Sequence, residues 1–443
     1  MLILSRKTKQ EVFMSEHTCK FQTDQEKRQQ SEVVADLCYR FVRPLLENLY
    51  RKLDRRLVQT LLDLLMVIVI HRHRNHGLLL SELGGGHLLG GEHAPAGTKR
   101  ISNLLRHPGW EAQAITDYLW QQADQALERL LSPQDDVYVI WDESVIEKPE
   151  SLRPERLCAV RSSKVRRLKR IKPGYYNPPG GAPALAHLRY WTTRGEAQTT
   201  KRQEEQQVLQ QVAKRWGRMV IHIFDRGFAG APWLGLVLLN QVRFIVRWQK
   251  GYNLIAADGR LLKAWQCTCG KRSLDHRMIH DAIRRCERKT GIVFVPVRVP
   301  DFPDVPLTLV VSRPGKGRKP WYLITNEPIH TVEDAWRIVF AYNRRWQVEV
   351  SIRYSKSELA FESPRLLKWN RREKLLAIAA LVQAFLFSLF DPVFDGLRTR
   401  ILRLWCHRTG KRNRNKAIPL SRLRLALCSL WLAFRPFVLP GLN

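Results

Sequence analysis

Acidic residues are what this sequence is short of. Against 74 Lys and Arg it sets only 41 Asp and Glu, a net charge of +33 at pH 7 and a pI near 10.3. A folded body carrying that excess repels itself, so the shortage argues against a protein that works without an anionic partner. Nucleic acid is the first candidate, because the basic residues run along the whole length and not in one tail. Long apolar runs are missing too. Leu57 to Ile70 is interrupted by Gln59 and Asp63, and the 16 residues from Leu375 to Phe390 contain Gln383. Both fall short of a span of about 20 residues. They read as core helices, which removes the anchor that a polybasic membrane protein would need. The eight cysteines, at 19, 38, 158, 267, 269, 286, 406 and 428, are scattered, as in a cytosolic protein with reduced thiols. Cys267, Cys269, His276, His280 and Cys286 follow no recognised zinc spacing. Only three apolar residues precede Arg6, Lys7 and Lys9, so no secretory signal is expected; Met14 is an alternative start. No internal repeat is evident.

What is present divides by composition into two or three domains. Residues 1–32 read as a polar arm. From Val33 to about Arg74 the period is helical, with Leu37, Phe41, Leu45, Leu46 and Leu49 on one face. A Gly-rich loop over 84–97 and a basic helix capped by Thr98 follow, so 33–133 is expected to be a helical DNA-binding region; a plain helical subdomain with a basic face is the alternative. Glu111 to Leu131 is its last helix. At Val137 the character changes. Val137 to Trp141 is a short buried strand ending in Asp142, and Met219 to Phe224 is another ending in Asp225. Between them lie the basic run 161–172, a Gly/Pro loop over 173–183, a strand from Leu185 to Trp191 and a helix from Lys201 to Trp216. A helix from Pro232 to Asn240 and a strand from Val242 to Trp248 complete the unit. The order strand, strand pair, helix, strand, helix, strand, with acids ending the first and fourth strands, is RNase H-like. The expected fold class is α/β: an RNase H-like mixed-sheet core over 134–250 and 327–370, a β-rich insertion over 251–326 and a helical region over 371–443.

Thr331-Val-Glu-Asp opens the next helix in the manner of a capping box. On a single helix continuing from it, Tyr342, Arg345, Glu349 and Lys356 fall at about 0°, 300°, 340° and 320°. One acid, two bases and a phenol then share one stripe. Trp346, Val350 and Tyr354 crowd a neighbouring face, and Val348 and Ile352 lie opposite, so the helix is expected to be buried. An internal salt-bridge network would explain the stripe alone. With Asp142 and Asp225 the reading shifts, because three converging carboxylates repel unless cations hold them. Mg²⁺ suits such a donor set, and two ions about 4 Å apart suit phosphodiester chemistry.

The spacing Tyr-x2-Arg-x3-Glu-x6-Lys, filled by Tyr342, Arg345, Glu349 and Lys356, resembles the signature of bacterial DDE transposases of insertion-sequence family four. Asp225-Arg-Gly-Phe228 and Val-Ile-Trp-Asp142 resemble the surroundings of that family's other two acids. The resemblance covers about residues 135–390; Ser144 stands where the family often has Thr. It implies cut-and-paste transposition on double-stranded DNA, transposon ends and target, by a homodimer in a synaptic complex, in the cytoplasm with the nucleoid. By the same resemblance Asp142 bridges two Mg²⁺ ions, with Mn²⁺ as a substitute, and Asp225 and Glu349 each complete one site. Tyr342, Arg345 and Lys356 hold phosphates, and Trp321 stacks on a flipped base. The implied sequence of steps is strand cleavage by activated water, hairpin closure by the freed 3′ hydroxyl, reopening and attack on target DNA. An RNase H-like nuclease or recombinase, and a catalytically silent domesticated DNA-binding protein, are the alternatives.

Overall fold

Two central strands are buried along their whole length, as strands covered by helices on both faces are. The computed structural model describes residues 1–5, 23–71, 77–85, 94–131, 135–142, 155–158, 184–187, 191–195, 198–281, 286–315, 319–406 and 420–436. The basic run 161–172, the loop 173–183, Ser144 and most of the 84–97 loop lie outside them.

The chain opens with β1 (Leu2–Ser5), then α1 (Asp24–Tyr50), α2 (Arg55–Ile70), α3 (Leu80–Leu83), α4 (Ala94–Arg106) and α5 (Ala112–Leu130). The core follows as β2 (Val137–Ile140), β3 (Ala184–Leu185), α6 (Lys201–Trp216), β4 (Val220–Phe224), α7 (Ala231–Leu239) and β5 (Arg243–Arg247). Next come β6 (Asn253–Ala256), β7 (Leu261–Lys263), β8 (Asp275–Asp281), β9 (Cys286–Val299), β10 (Phe302–Arg313) and β11 (Trp321–Thr325). The helices α8 (Val332–Asn343), α9 (Trp346–Ser357), α10 (Trp369–Ser388), α11 (Asp395–Trp405) and α12 (Leu420–Ala433) close the described chain.

The eleven strands among the described residues join one sheet in the order β3-β1-β2-β4-β5-β11-β10-β9-β6-β7, with β8 on β9. β2, β4 and β5 are parallel, and the other pairs are antiparallel. This is the mixed sheet of an RNase H-like domain. The strands of 251–326 extend it through the pairing of β11 with β5. Alternation along each strand sorts its side chains between two cores. Tyr138, Ile140, Ile221, Ile223, Ile245 and Leu323 face a core formed with α1, α2, α5, α8, α10 and α12. Val137, Val139, Trp141, Val220, Phe224, Phe244 and Val246 face the other, under α6 and α7. Fully burying one such branched or aromatic side chain contributes about 1.5–3 kcal/mol.

Several sequence expectations give way. Leu2–Ser5, assigned to the polar arm, pairs with β2 and β3, and the first helix starts at Asp24, where Thr23 and Glu26 form a capping box. The helical run from Val33 breaks at 51–54, where Asp54 caps α2. Thr98 is no cap. It lies inside α4, and its hydroxyl donates to the Leu80 carbonyl at 3.3 Å. The strand expected over Leu185–Trp191 is extended only at Ala184–Leu185; residues 188–190 lie outside the described ones. The Thr331 capping box is present, with Asp334. Among the described residues no single helix is long and apolar enough to cross a membrane.

Candidate active site

The site is built by register. Ile140 pairs with Ile223, and Ile223 with Ile245. The Trp141 amide carries the ladder one step on by donating to the Ile223 carbonyl at 3.1 Å. Two residues beyond those isoleucines stand Asp142, Asp225 and Arg247, one row across the carboxyl ends of three parallel strands. By alternation all three share the face of Ile140, Ile223 and Ile245, where α8 and α9 lie. β11 runs antiparallel to β5, which brings its first residue, Trp321, to the same end. Locally, Asp225 also turns the chain, its carboxylate accepting from the Gly227 amide at 2.6 Å.

The stripe does not lie on one helix. α8 ends at Asn343, and Arg344 and Arg345 form a turn before α9 begins at Trp346. The amides of Arg345 and Val348 bond three residues back, to Tyr342 and Arg345. The helix is tightened there and the ideal angles do not hold. α9 is only half-buried: Val348, Ser351 and Tyr354 face inward, whereas Trp346, placed by sequence on a crowded face, is exposed.

Arg345 ties two of the three acids together. Its guanidinium hydrogen-bonds the Glu349 carboxylate and stands 3.7 Å from that of Asp142. Burial opposes its charge, but Tyr342, Glu349 and Asp142 outweigh burial and hold its pKa above the usual arginine value. Asp225 joins through Tyr342. Burial pushes that phenol up, Arg345 and Arg247 pull it back, and Asp225 pushes it further up. Tyr342 is 3% exposed, its ring edge-on to Trp321 with centroids 5.2 Å apart and Arg345 over its face. Among the described residues its hydroxyl has no well-aligned hydrogen-bond partner, although the Arg247 guanidinium lies within reach of it. A phosphate contact by Tyr342 therefore requires the site to open. Lys356, two turns beyond Glu349, faces Glu362 at 3.7 Å.

Sequence reasoning missed Arg247. It is half-buried and has no carboxylate partner among the described residues. The available signal was an arginine closing the apolar stretch Phe244-Ile-Val246, but its place beside Asp225 depends on strand register.

For a divalent cation, the donor chemistry fits: two carboxylates at one sheet end and a third on α9, with no thiol or imidazole among them. Arg345 marks where positive charge is favoured. Among the described residues, however, no three His, Cys, Asp or Glu side chains stand together closely enough to hold one ion. Arg345 lies between two of the acids, and Asp225 meets them only through Tyr342.

No curated protein matches the chain. Residues 188–385, which contain Asp225, Trp321, Tyr342, Arg345, Glu349 and Lys356 and start beyond Asp142, match the family described as Transposase DDE domain, and this match supports a DDE transposase.

Proposed function

We propose that this chain is a cut-and-paste DNA transposase of insertion-sequence family four, working as a homodimer in a synaptic complex on double-stranded DNA. The observation that carries the reading is the row of Asp142 and Asp225 at neighbouring parallel strand ends, with Glu349 brought to it through Arg345. Asp142, Asp225 and Glu349 would hold two Mg²⁺ ions, with Mn²⁺ as a substitute; when bound, these supply an activated hydroxyl and charge stabilisation for the departing oxygen.

The chain's own residues do the rest. Arg345, Lys356 and Arg247 set permanent positive charge where the scissile and flanking phosphates lie. Trp321 offers an indole at the same end, suited to stacking on a flipped base in a hairpin route. α8 and α9 cover the carboxylates on one face and limit water. The DNA is held further out by the helical region 33–133, where α4 exposes Lys99, Asn103 and Arg106 along one side. The core is taken as 134–250 and 327–370, the β-rich insertion as 251–326, and the helical C-terminal region as 371–443.

The test uses the full chain, a supercoiled plasmid carrying the DNA that flanks its gene, and a target plasmid. Asp142→Asn, Asp225→Asn and Glu349→Gln should each abolish Mg²⁺-dependent cleavage and joining while DNA binding persists. Wild-type cleavage by any of the three overturns the assignment. Cleavage without joining identifies a nuclease, and binding without cleavage a silent DNA-binding protein.

A further inference from the structure

One polar side chain interrupts the apolar interior of α10. From Leu375 to Phe387 the helix is buried all round, and Gln383, 1% exposed, is its single polar residue there. Such a group is costly unless its amide is satisfied at both ends. Both ends are engaged by α9. Nε2 donates to the Ser351 hydroxyl at 2.7 Å and lies 3.5 Å from the Ser351 carbonyl, while the Ser355 hydroxyl donates to Oε1 at 2.7 Å. Ser355 also lies 3.0 Å from the Ser351 carbonyl. One amide therefore grips two successive turns of α9.

α9 needs such a grip. Its fully buried residues are Val348, Ser351 and Tyr354, with Ile352 half-buried against the same core, a thin stripe with a serine at its centre. Apolar contact is non-directional and fixes a helix's rotation weakly when the stripe is thin. The paired bonds to Gln383 are directional.

We infer that Gln383 is a positioning residue for the active site: its clasp on Ser351 and Ser355 sets the rotation of α9, and so the placement of Glu349, two residues before the first serine, and Lys356, next after the second. The role rests on the reading of Glu349 and Lys356 given above. A rotation of about 10° swings a carboxylate about 6 Å from the helix axis by about 1 Å. A misplacement of that size can cost about 100-fold in rate.

The experiment compares full-length wild type, Gln383→Leu, Ser351→Ala with Ser355→Ala, and the triple variant combining all three changes. Amide hydrogen exchange of 346–357 and Mg²⁺-dependent cleavage of the plasmid described above are measured on each. Gln383→Leu should lose protection in α9 while α10 keeps it, and kcat should fall about 10- to 100-fold with KM for DNA little changed. The triple variant leaves no orphaned polar group, so its Tm should recover, but kcat should not. Recovery of kcat together with Tm, or unchanged α9 protection in Gln383→Leu, overturns the inference. Should Gln383→Leu fail to fold, the double serine variant breaks the same bonds from the other helix and is read by the same criteria. Glu349→Gln is the control for the underlying reading. If it cleaves like wild type, the transposase assignment fails at Glu349, whereas α9 protection still decides the clasp.

Discussion

The guanidinium of Arg345 stands 3.7 Å from the carboxylate of Asp142 while hydrogen-bonding Glu349. Two carboxylates from distant parts of the sequence thus share one cation, on side chains 13–29% exposed. Removing that cation as Arg345→Ala leaves like charges facing each other. The variant should lose about 1–3 kcal/mol of stability in buffer free of divalent cations. Mg²⁺ should restore part of the loss, measured by denaturant unfolding with and without the ion. No response to Mg²⁺ would mean that the carboxylates do not share a cation site.

Arg247 is placed to meet a phosphate, since it lines the same strand-end row and no described carboxylate forms an ion pair with it. Arg247→Ala should weaken DNA binding at every salt concentration and reduce the slope of log K against log salt by about 1. Fold stability should change little. An unchanged slope would assign Arg247 to packing against Tyr342.

His222 makes folding sensitive to acid. It is fully buried and accepts from the Trp141 indole N–H at 2.9 Å, and burial lowers its pKa to about 3. Its folded pKa is below the unfolded value of about 6.5. The stability tied to the neutral ring is therefore complete above pH 6.5 and is lost as pH falls towards 3. The loss should reach about 2 kcal/mol by pH 5. His222→Gln should flatten that part of the stability profile by one proton.

Trp321 and Tyr342 pack edge to face. Trp321→Ala should cost about 2–3 kcal/mol by loosening Tyr342, whereas Trp321→Phe should stay within about 1 kcal/mol. If the phenylalanine variant is stable yet defective in hairpin formation on the plasmid substrate, the indole acts on DNA; if it is fully active, packing is its whole role.

α3 and α4 meet through two glycines. A Cβ at Gly97 would lie 2.2 Å from the Gly84 carbonyl oxygen, and one at Gly84 would lie 2.3 Å from the Thr98 nitrogen. Backbone cannot yield as a flexible side chain does, so either change to Ala should cost about 2–3 kcal/mol, measured as a shift in Tm.

Local chemistry was enough for much of this protein. The helix Lys201–Trp216 and the acids closing two β-branched strands follow from period, capping and composition, because those signals lie within a few residues of one another. The Tyr342 to Lys356 spacing was likewise complete in the sequence. Tertiary structure decided the remainder. Leu2–Ser5 carries too short a pattern to announce a strand, and only an open edge beside β2 makes it one. The turn at Arg344 and Arg345 breaks a stripe that periodicity draws as continuous. Arg247 joins Asp225 through strand register, Gln383 grips α9 through helix packing, and Arg345 reaches Asp142 across 203 positions of chain. A sequence determines which faces are apolar and where elements start and stop, because these depend on near neighbours. Which polar groups then meet is decided when the faces pack, since register and rotation are settled by contacts between segments far apart in the chain.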